Sequence, residues 1–242
     1  MIRSRSVAAV HRNNRGPRRI ANRAIRPSRF LTFSASCLLA VASFAGGCAG
    51  SSDRNEQHFI LEAVRQGDPV QPVADGSLEV HRFSIDAAFM TKNLVYRLGE
   101  FKYEADYSRQ FLIPPGTMIT DKTRDWLADS GLFQAVLPVG SRIVPTYTLE
   151  GNVTALYGDF ADEAAPSAVM EIRVFLLENA GGQEKIVFSQ VYRAACPVSS
   201  RATGDFIDAL NRSLVEILTR LEADLPKAFA NRHDAPASPG NS

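Results

Sequence analysis

The chain has little with which to build a metal or hydrolytic centre. Its 242 residues hold three cysteines, four histidines and one tryptophan. No HExxH, paired CxxC, GxSxG or glycine-rich phosphate loop occurs in it. Such chemistry needs convergent ligands, so the expectation is no catalytic residue, no metal site, no cofactor and no enzymatic activity. Cys37 and Cys48 lie near the start and Cys196 stands alone in the body, so no disulfide within the mature chain is expected. Acidic residues are missing from the first 47 positions, and no methionine occurs between Met1 and Met90.

Those first 47 residues instead carry nine arginines, the last of them Arg29. An uncharged stretch follows, and its apolar part, Phe30 to Ala45, ends in Gly46-Gly47-Cys48. A basic region, a short apolar core and small residues before a cysteine form a secretory signal of the lipoprotein type. Residues 1–47 are therefore read as the signal peptide, with Cys48 as the acylated, palmitate-bearing lipid anchor. A transmembrane anchor is the competing reading, but a spanning helix needs ~20 predominantly apolar residues, and Ser, Thr, Ala and Gly dilute this stretch. Arg18-Arg19 is a twin-arginine candidate set well before the apolar core, and Ala45-Gly46-Gly47-Cys48 lacks the leucine usual at such cleavage sites. Ala49, not Asp, follows the cysteine, which points to the outer membrane under the usual sorting rule of two-membraned cells.

Loss of nine of the 27 basic residues leaves 18 against 26 acidic ones, a mature net charge of −8. A negative body argues against nucleic acid or an anionic surface as partner. Residues 48–57 read as a lipidated polar tether and 228–242, with Pro236, Pro239 and Gly240, as a disordered tail. Between them, 58–227 is the size of one domain.

Within that domain, period-two patterning is clearest from Ile143 to Tyr157, where odd positions are mostly apolar. Ser167 to Glu178 and Lys185 to Ala195 read as a hairpin about Asn179-Ala-Gly-Gly182. Earlier strands are expected at His58–Val64, Leu78–Asp86, Leu94–Arg97 and Phe101–Tyr107, with a short one at Phe133–Leu137. One helix should start with Thr117 as its cap, run to Asp129 and stop at Ser130-Gly131. A second should run from Ala202 to Asp224 and be closed by Pro226, with Ile207, Leu210, Leu214, Ile217, Leu218, Leu221 and Leu225 as its apolar stripe. The fold class is then α+β, a mostly antiparallel β-sheet with two helices packed on one face.

Several residue groups invite a functional reading and have a plainer one. Asp121, Asp125 and Asp129 share a helix face and Asp159, Asp162 and Glu163 a loop, but neither has the ligand spacing of a calcium loop, so solvated surface is expected. Phe101, Tyr103 and Tyr107 share a strand face, with Phe111 following, and could be a platform for a partner or a lipid chain; the core side of an amphipathic strand is preferred. Trp126 and Cys196 are likewise read as core.

Taken in order, Phe59-Ile-Leu61, Leu78-Glu-Val80, Leu94-Val-Tyr-Arg97, Pro114-Pro115, Trp126-Leu127, Ser130-Gly-Leu-Phe133 and the terminal helix, behind the lipoprotein start, resemble one family. It is similar to the ABC-type transport auxiliary lipoproteins, the PqiC-like group, over His58 to Leu225. Where that family usually has a tryptophan before Pro-Pro, Arg109-Gln-Phe-Leu112 stands here, which places the chain in a divergent branch. The resemblance implies a membrane-anchored, periplasm-facing component of an ABC transport system. Its partners would be an MCE-domain protein and the ABC permease complex, in intermembrane lipid transport. The competing functions are an envelope lipoprotein that regulates or assembles another periplasmic machine, and a direct carrier with a lipid ligand.

Overall fold

The computed structural model describes residues 56–233, so Cys48, the signal region and the chain beyond His233 fall outside the described residues. Nine strands and two longer helices are described: β1 (Gln57–Phe59), β2 (Ala74–Val80), β3 (Ser84–Ile85), β4 (Asn93–Arg97), β5 (Tyr103–Phe111), α1 (Pro115–Ser130), β6 (Phe133–Val136), β7 (Tyr147–Asp159), β8 (Ser167–Ala180), β9 (Gln183–Pro197) and α2 (Thr203–His233). A 3₁₀ turn, Ala87–Phe89, precedes β4. The class is α+β.

All nine strands join one mixed sheet. Its long ladders, β7 with β8 and β8 with β9, are antiparallel, as is β4 with β5. The β8–β9 turn is Gly181-Gly182 with φ of 60° and 82°, the left-handed pair that a two-residue hairpin turn demands. β7 is the hub. One edge takes all of β8, while the other takes β2, β3 and β4 one after another, each parallel to it. β2 carries β6, and β4 carries β5 and then β1.

The helices cover one face. Every stripe residue of α2 named from the sequence is buried, while Arg212, Glu216 and Arg220 are exposed. Opposite them, Ala168, Met170, Ile172, Val174 and Leu176 of β8 alternate inward with at most 1% exposure, an unbroken period of two. Alongside β9, α2 runs antiparallel to the strand and is pinned at four points. The Tyr192 hydroxyl donates to Asp224 (3.1 Å), Arg220 donates to the Arg193 carbonyl (2.9 Å), the Cys196 thiol meets Glu216 (3.9 Å), and Arg212 donates to the Pro197 carbonyl (2.6 Å).

Four local expectations are corrected. β7 begins at Tyr147, because Ile143 and Val144 are exposed (63% and 83%) ahead of it. Its stripe also changes sides: Val153 pairs with Ile172 and Ala155 with Glu171, so Thr154 is an extra residue, a bulge. Tyr147 therefore meets Phe229 of α2 while Tyr157 turns to the far face against Phe89 and Tyr103. The expected strand 58–64 ends at Phe59, after which the chain leaves the sheet to lie on the helices. The expected strand 78–86 breaks into β2 and β3, with the Phe83 amide donating to the Thr120 hydroxyl at 2.9 Å.

Both helices also differ from their sequence boundaries. α1 is capped by Pro114 with Pro115 in its first turn, and the Thr117 amide donates to the Pro114 carbonyl (3.0 Å), so Thr117 is inside the helix. Gly131, with φ of 74°, ends it as the sequence indicated. α2 does not stop at Pro226 but continues to His233, so the first part of the expected disordered tail, 228–233, belongs to the helix; residues 234–242 lie outside the described residues. A helical proline costs about 3 kcal/mol. Burial of Phe229, edge-on to Phe133 and Tyr147 at 6.0 and 5.3 Å, offsets it.

Candidate functional site

The segment from Ile60 to Val73 crosses the helical face and is tied down at both ends. The Glu62 amide donates to the Asn211 side chain of α2 (2.9 Å), and the Val70 and Val73 amides donate to the Ser130 and Leu132 carbonyls (2.8 and 3.0 Å). Gly131 makes the second tie possible, since a Cβ there would stand 2.6 Å from the Val70 carbonyl oxygen. Between this strap and the helices lies an open cleft of about 600 Å³. The strap supplies Val64, Val70 and Val73, α1 supplies Trp126, and α2 supplies Val215, Ala223 and Pro226. Val64, Val70 and Val73 remain 64%, 44% and 39% exposed, which is apolar surface left open to an occupant.

One carboxylate sits in that apolar wall. Glu222 accepts from Arg65 through Nε (3.0 Å) and Nη2 (2.9 Å) and from Trp126 Nε1 (2.7 Å). Arg65 spends its remaining donors on the carbonyls of Gly67 (2.7 Å) and Asp68 (3.1 Å), curling the strap around itself. The pair is largely withdrawn from water, with side chains 7% and 19% exposed, and the Glu222 bond raises the Arg65 pKa further. With both oxygens of Glu222 already engaged by donors, the group is a structural clasp between strap, α1 and α2, not a proton shuttle. What the cleft can do is receive an apolar group.

The residues singled out from sequence are dispersed. Trp126 is core at 4% exposure, as expected, with its ring nitrogen serving Glu222. Asp121 and Asp125 share Arg124 at the surface (2.9 and 3.6 Å), as the solvated reading has it. Asp159 departs from its expected solvated loop. It pairs with Arg97, which holds its carboxyl below the ordinary aspartate range. Cys196 is only partly buried. Phe111 is core at 2%, but Phe101, Tyr103 and Tyr107 are 87%, 47% and 70% exposed, so the preferred core reading of that stripe is overturned. Among the described residues no layer covers the outward face of β5, which looks away from the helices, and of the three rings Tyr103 packs edge-on to Tyr157 at 5.5 Å. Among the described residues no group of three His, Cys, Asp or Glu is placed to hold a metal ion. No described helix is long and apolar enough to cross a membrane.

Sequence reasoning missed the Arg65–Glu222 clasp. Its signal was an acid, Glu222, bordering the apolar stripe of α2 between Leu221 and Leu225, where a lone carboxylate requires a partner.

Comparison with known proteins places this architecture. The family model described as "ABC-type transport auxiliary lipoprotein component" matches residues 59–221. Among solved structures, protein XCC0632 from Xanthomonas campestris, of the DUF330 family, is similar at 20% identity with a TM-score of 0.64, covering 74% of this chain and 100% of that one. An uncharacterised protein of known structure is similar at 12% identity with a TM-score of 0.55, covering 71% and 99% of the two chains. At these identities the structures speak to the fold alone. No curated protein matches the sequence.

Proposed function

Because the chain belongs to the ABC-type transport auxiliary lipoprotein family, we propose that it is the membrane-anchored auxiliary subunit of an MCE-type ABC transport system. In this reading it serves intermembrane lipid transport by binding protein partners. The observation that carries the reading is the family match over residues 59–221, almost the whole of the described fold. The open cleft supports it: an apolar receptor whose only acid is already clasped suits a docking role better than chemistry. The family is an auxiliary lipoprotein component and not an enzyme class. The domain runs from β1 through α2, which ends at His233, with 1–47 as signal and Cys48 as the acylated anchor facing the periplasm, on the outer membrane given Ala49.

Cross-linking in cells tests the partner. The transport system's MCE-domain protein is expected among the cross-linked products, and deletion of this gene should reproduce the envelope defect of deleting the permease. Unrelated defects with no MCE protein recovered would transfer the reading to an envelope regulator. The apolar lining also favours a second reading, direct lipid carriage, and native mass spectrometry finding a stoichiometric co-purifying lipid would establish it.

The anchor has its own test. Stable attachment takes two or more acyl chains, one being marginal, so Cys48→Ser should lose fatty-acid label and leave an unprocessed or soluble form. Undiminished label on the variant would remove Cys48 from the role.

A further inference from the structure

The aromatic stripe at the start of β5 is an exposed feature that the proposed function leaves unused. Phe101 (87% exposed) stands in the β4–β5 turn, and Tyr103 (47%) and Tyr107 (70%) follow at even spacing on the same face, with Leu98 (39%) across the turn. Two charge pairs flank them, Lys102 with Glu104 at 2.8 Å and Arg97 with Asp159. Exposed Glu100 beside Phe101 adds one negative charge, so the patch is aromatic and carries no excess of positive charge. Rings with an apolar body and a polar tip are the side chains that settle at a membrane–water interface.

Chain geometry brings that interface to the patch. β1 lies parallel to β5 at the sheet edge, with Gln57 opposite Arg109. The start of β1, at Gln57, is therefore the end of that strand nearer Tyr107, Tyr103 and the turn. Phe101 lies eight residues before Arg109, and because β5 bulges where Asn93 pairs with Gln110 but Leu94 with Asp106, the span is shorter than the ~26 Å of eight regular strand residues. Cys48 lies nine residues before Gln57, a reach of at most about 30 Å. An anchor at Cys48 and a contact at Phe101 are therefore compatible in one orientation, with the β4–β5 turn pointing at the bilayer.

We propose that the β4–β5 turn, through Phe101, Tyr103 and Tyr107, seats in the headgroup layer of the membrane that holds Cys48, and so orients the domain. The inference rests on Cys48 being the anchor. With no excess of positive charge at the turn and exposed Glu100 within it, the contact is one with zwitterionic headgroups, without a requirement for anionic lipid.

The test uses the full-length acylated protein in phosphatidylcholine vesicles that contain a spin-labelled phosphatidylcholine quencher. The single native tryptophan, Trp126, is 4% exposed and serves as an internal background. In Phe101→Trp the emission added by the substitution should be lost in quencher vesicles. Lys185→Trp, beside the β8–β9 turn at the opposite end of the sheet, should keep its emission. If Phe101→Trp floats with the vesicles but is not quenched, or is quenched only when anionic lipid is added, the proposal is overturned. If the protein carries no acyl adduct by mass and does not float, the anchor assignment itself fails, a different result that takes the proposal with it.

Discussion

Glu222→Ala should lower the stability of the domain by about 3–4 kcal/mol, the range for breaking a withdrawn ion pair from one side. The loss has three parts. Arg65, at 7% side-chain exposure, keeps its charge with no carboxylate to meet it. Trp126 Nε1 loses its 2.7 Å acceptor in a buried setting, and the strap loses its clasp to α2. For a domain this size that corresponds to a fall in melting temperature of about 6–16 °C, readable by circular dichroism. Replacing both partners, Arg65→Met with Glu222→Met, should recover the part of the loss due to the stranded charge, because apolar groups of similar volume leave none, while Trp126 Nε1 stays without its acceptor. A double variant as unstable as Glu222→Ala would mean that the clasp matters for its shape and not for its charge. A wild-type melting temperature in Glu222→Ala would mean that it matters for neither.

Leu214→Asp should have the largest effect, the loss of a cooperative unfolding transition at neutral pH. Leu214 has 0% exposure in the middle of the α2 stripe. An unpaired carboxylate there costs several kcal/mol or forces protonation, against a total stability on the order of 5–15 kcal/mol. The sign of the pH dependence follows. A carboxyl held in apolar surroundings has its folded-state pKa raised, so the penalty eases as pH falls and the variant should regain structure towards acid. Leu214→Ala is the control, with a loss of about 2–5 kcal/mol and no such pH dependence. An unchanged melting temperature for the aspartate variant would show that the stripe is not core and would reopen it as a docking face.

How far the fold could be read from sequence depended on the range of the interaction concerned. The α2 stripe and the Gly181-Gly182 turn are short-range patterns, and both appear where their periods place them. The bulge at Thr154 is not visible in β7's own residues, because it arises from the register that β8 imposes. Pro226 looked like a terminator, since the rings of Phe133 and Tyr147 that compensate for it through Phe229 stand 82 or more residues upstream of Phe229. The exposed face of β5 was mistaken for core for a similar reason: alternation shows that a strand has two faces, not which one has a neighbour. The clasp lay furthest out of reach, with 157 residues separating Arg65 from Glu222.

The four pins between α2 and β9 amount to a pair of matched rulers. From Tyr192 to Cys196 the strand advances four residues, and from Asp224 to Glu216 the helix returns eight; Arg193 to Pro197 and Arg220 to Arg212 repeat the same ratio. Four strand residues span about 13 Å and eight helical residues about 12 Å, so the two scales stay commensurate over the length of the contact. A residue inserted into α2 between 212 and 224 would advance one scale by 1.5 Å and turn it by roughly 100°, putting the pins on one side of the insertion out of phase with those on the other. Length changes in this part of the chain should therefore accumulate at the β8–β9 turn or beyond Phe229, where neither scale is being read.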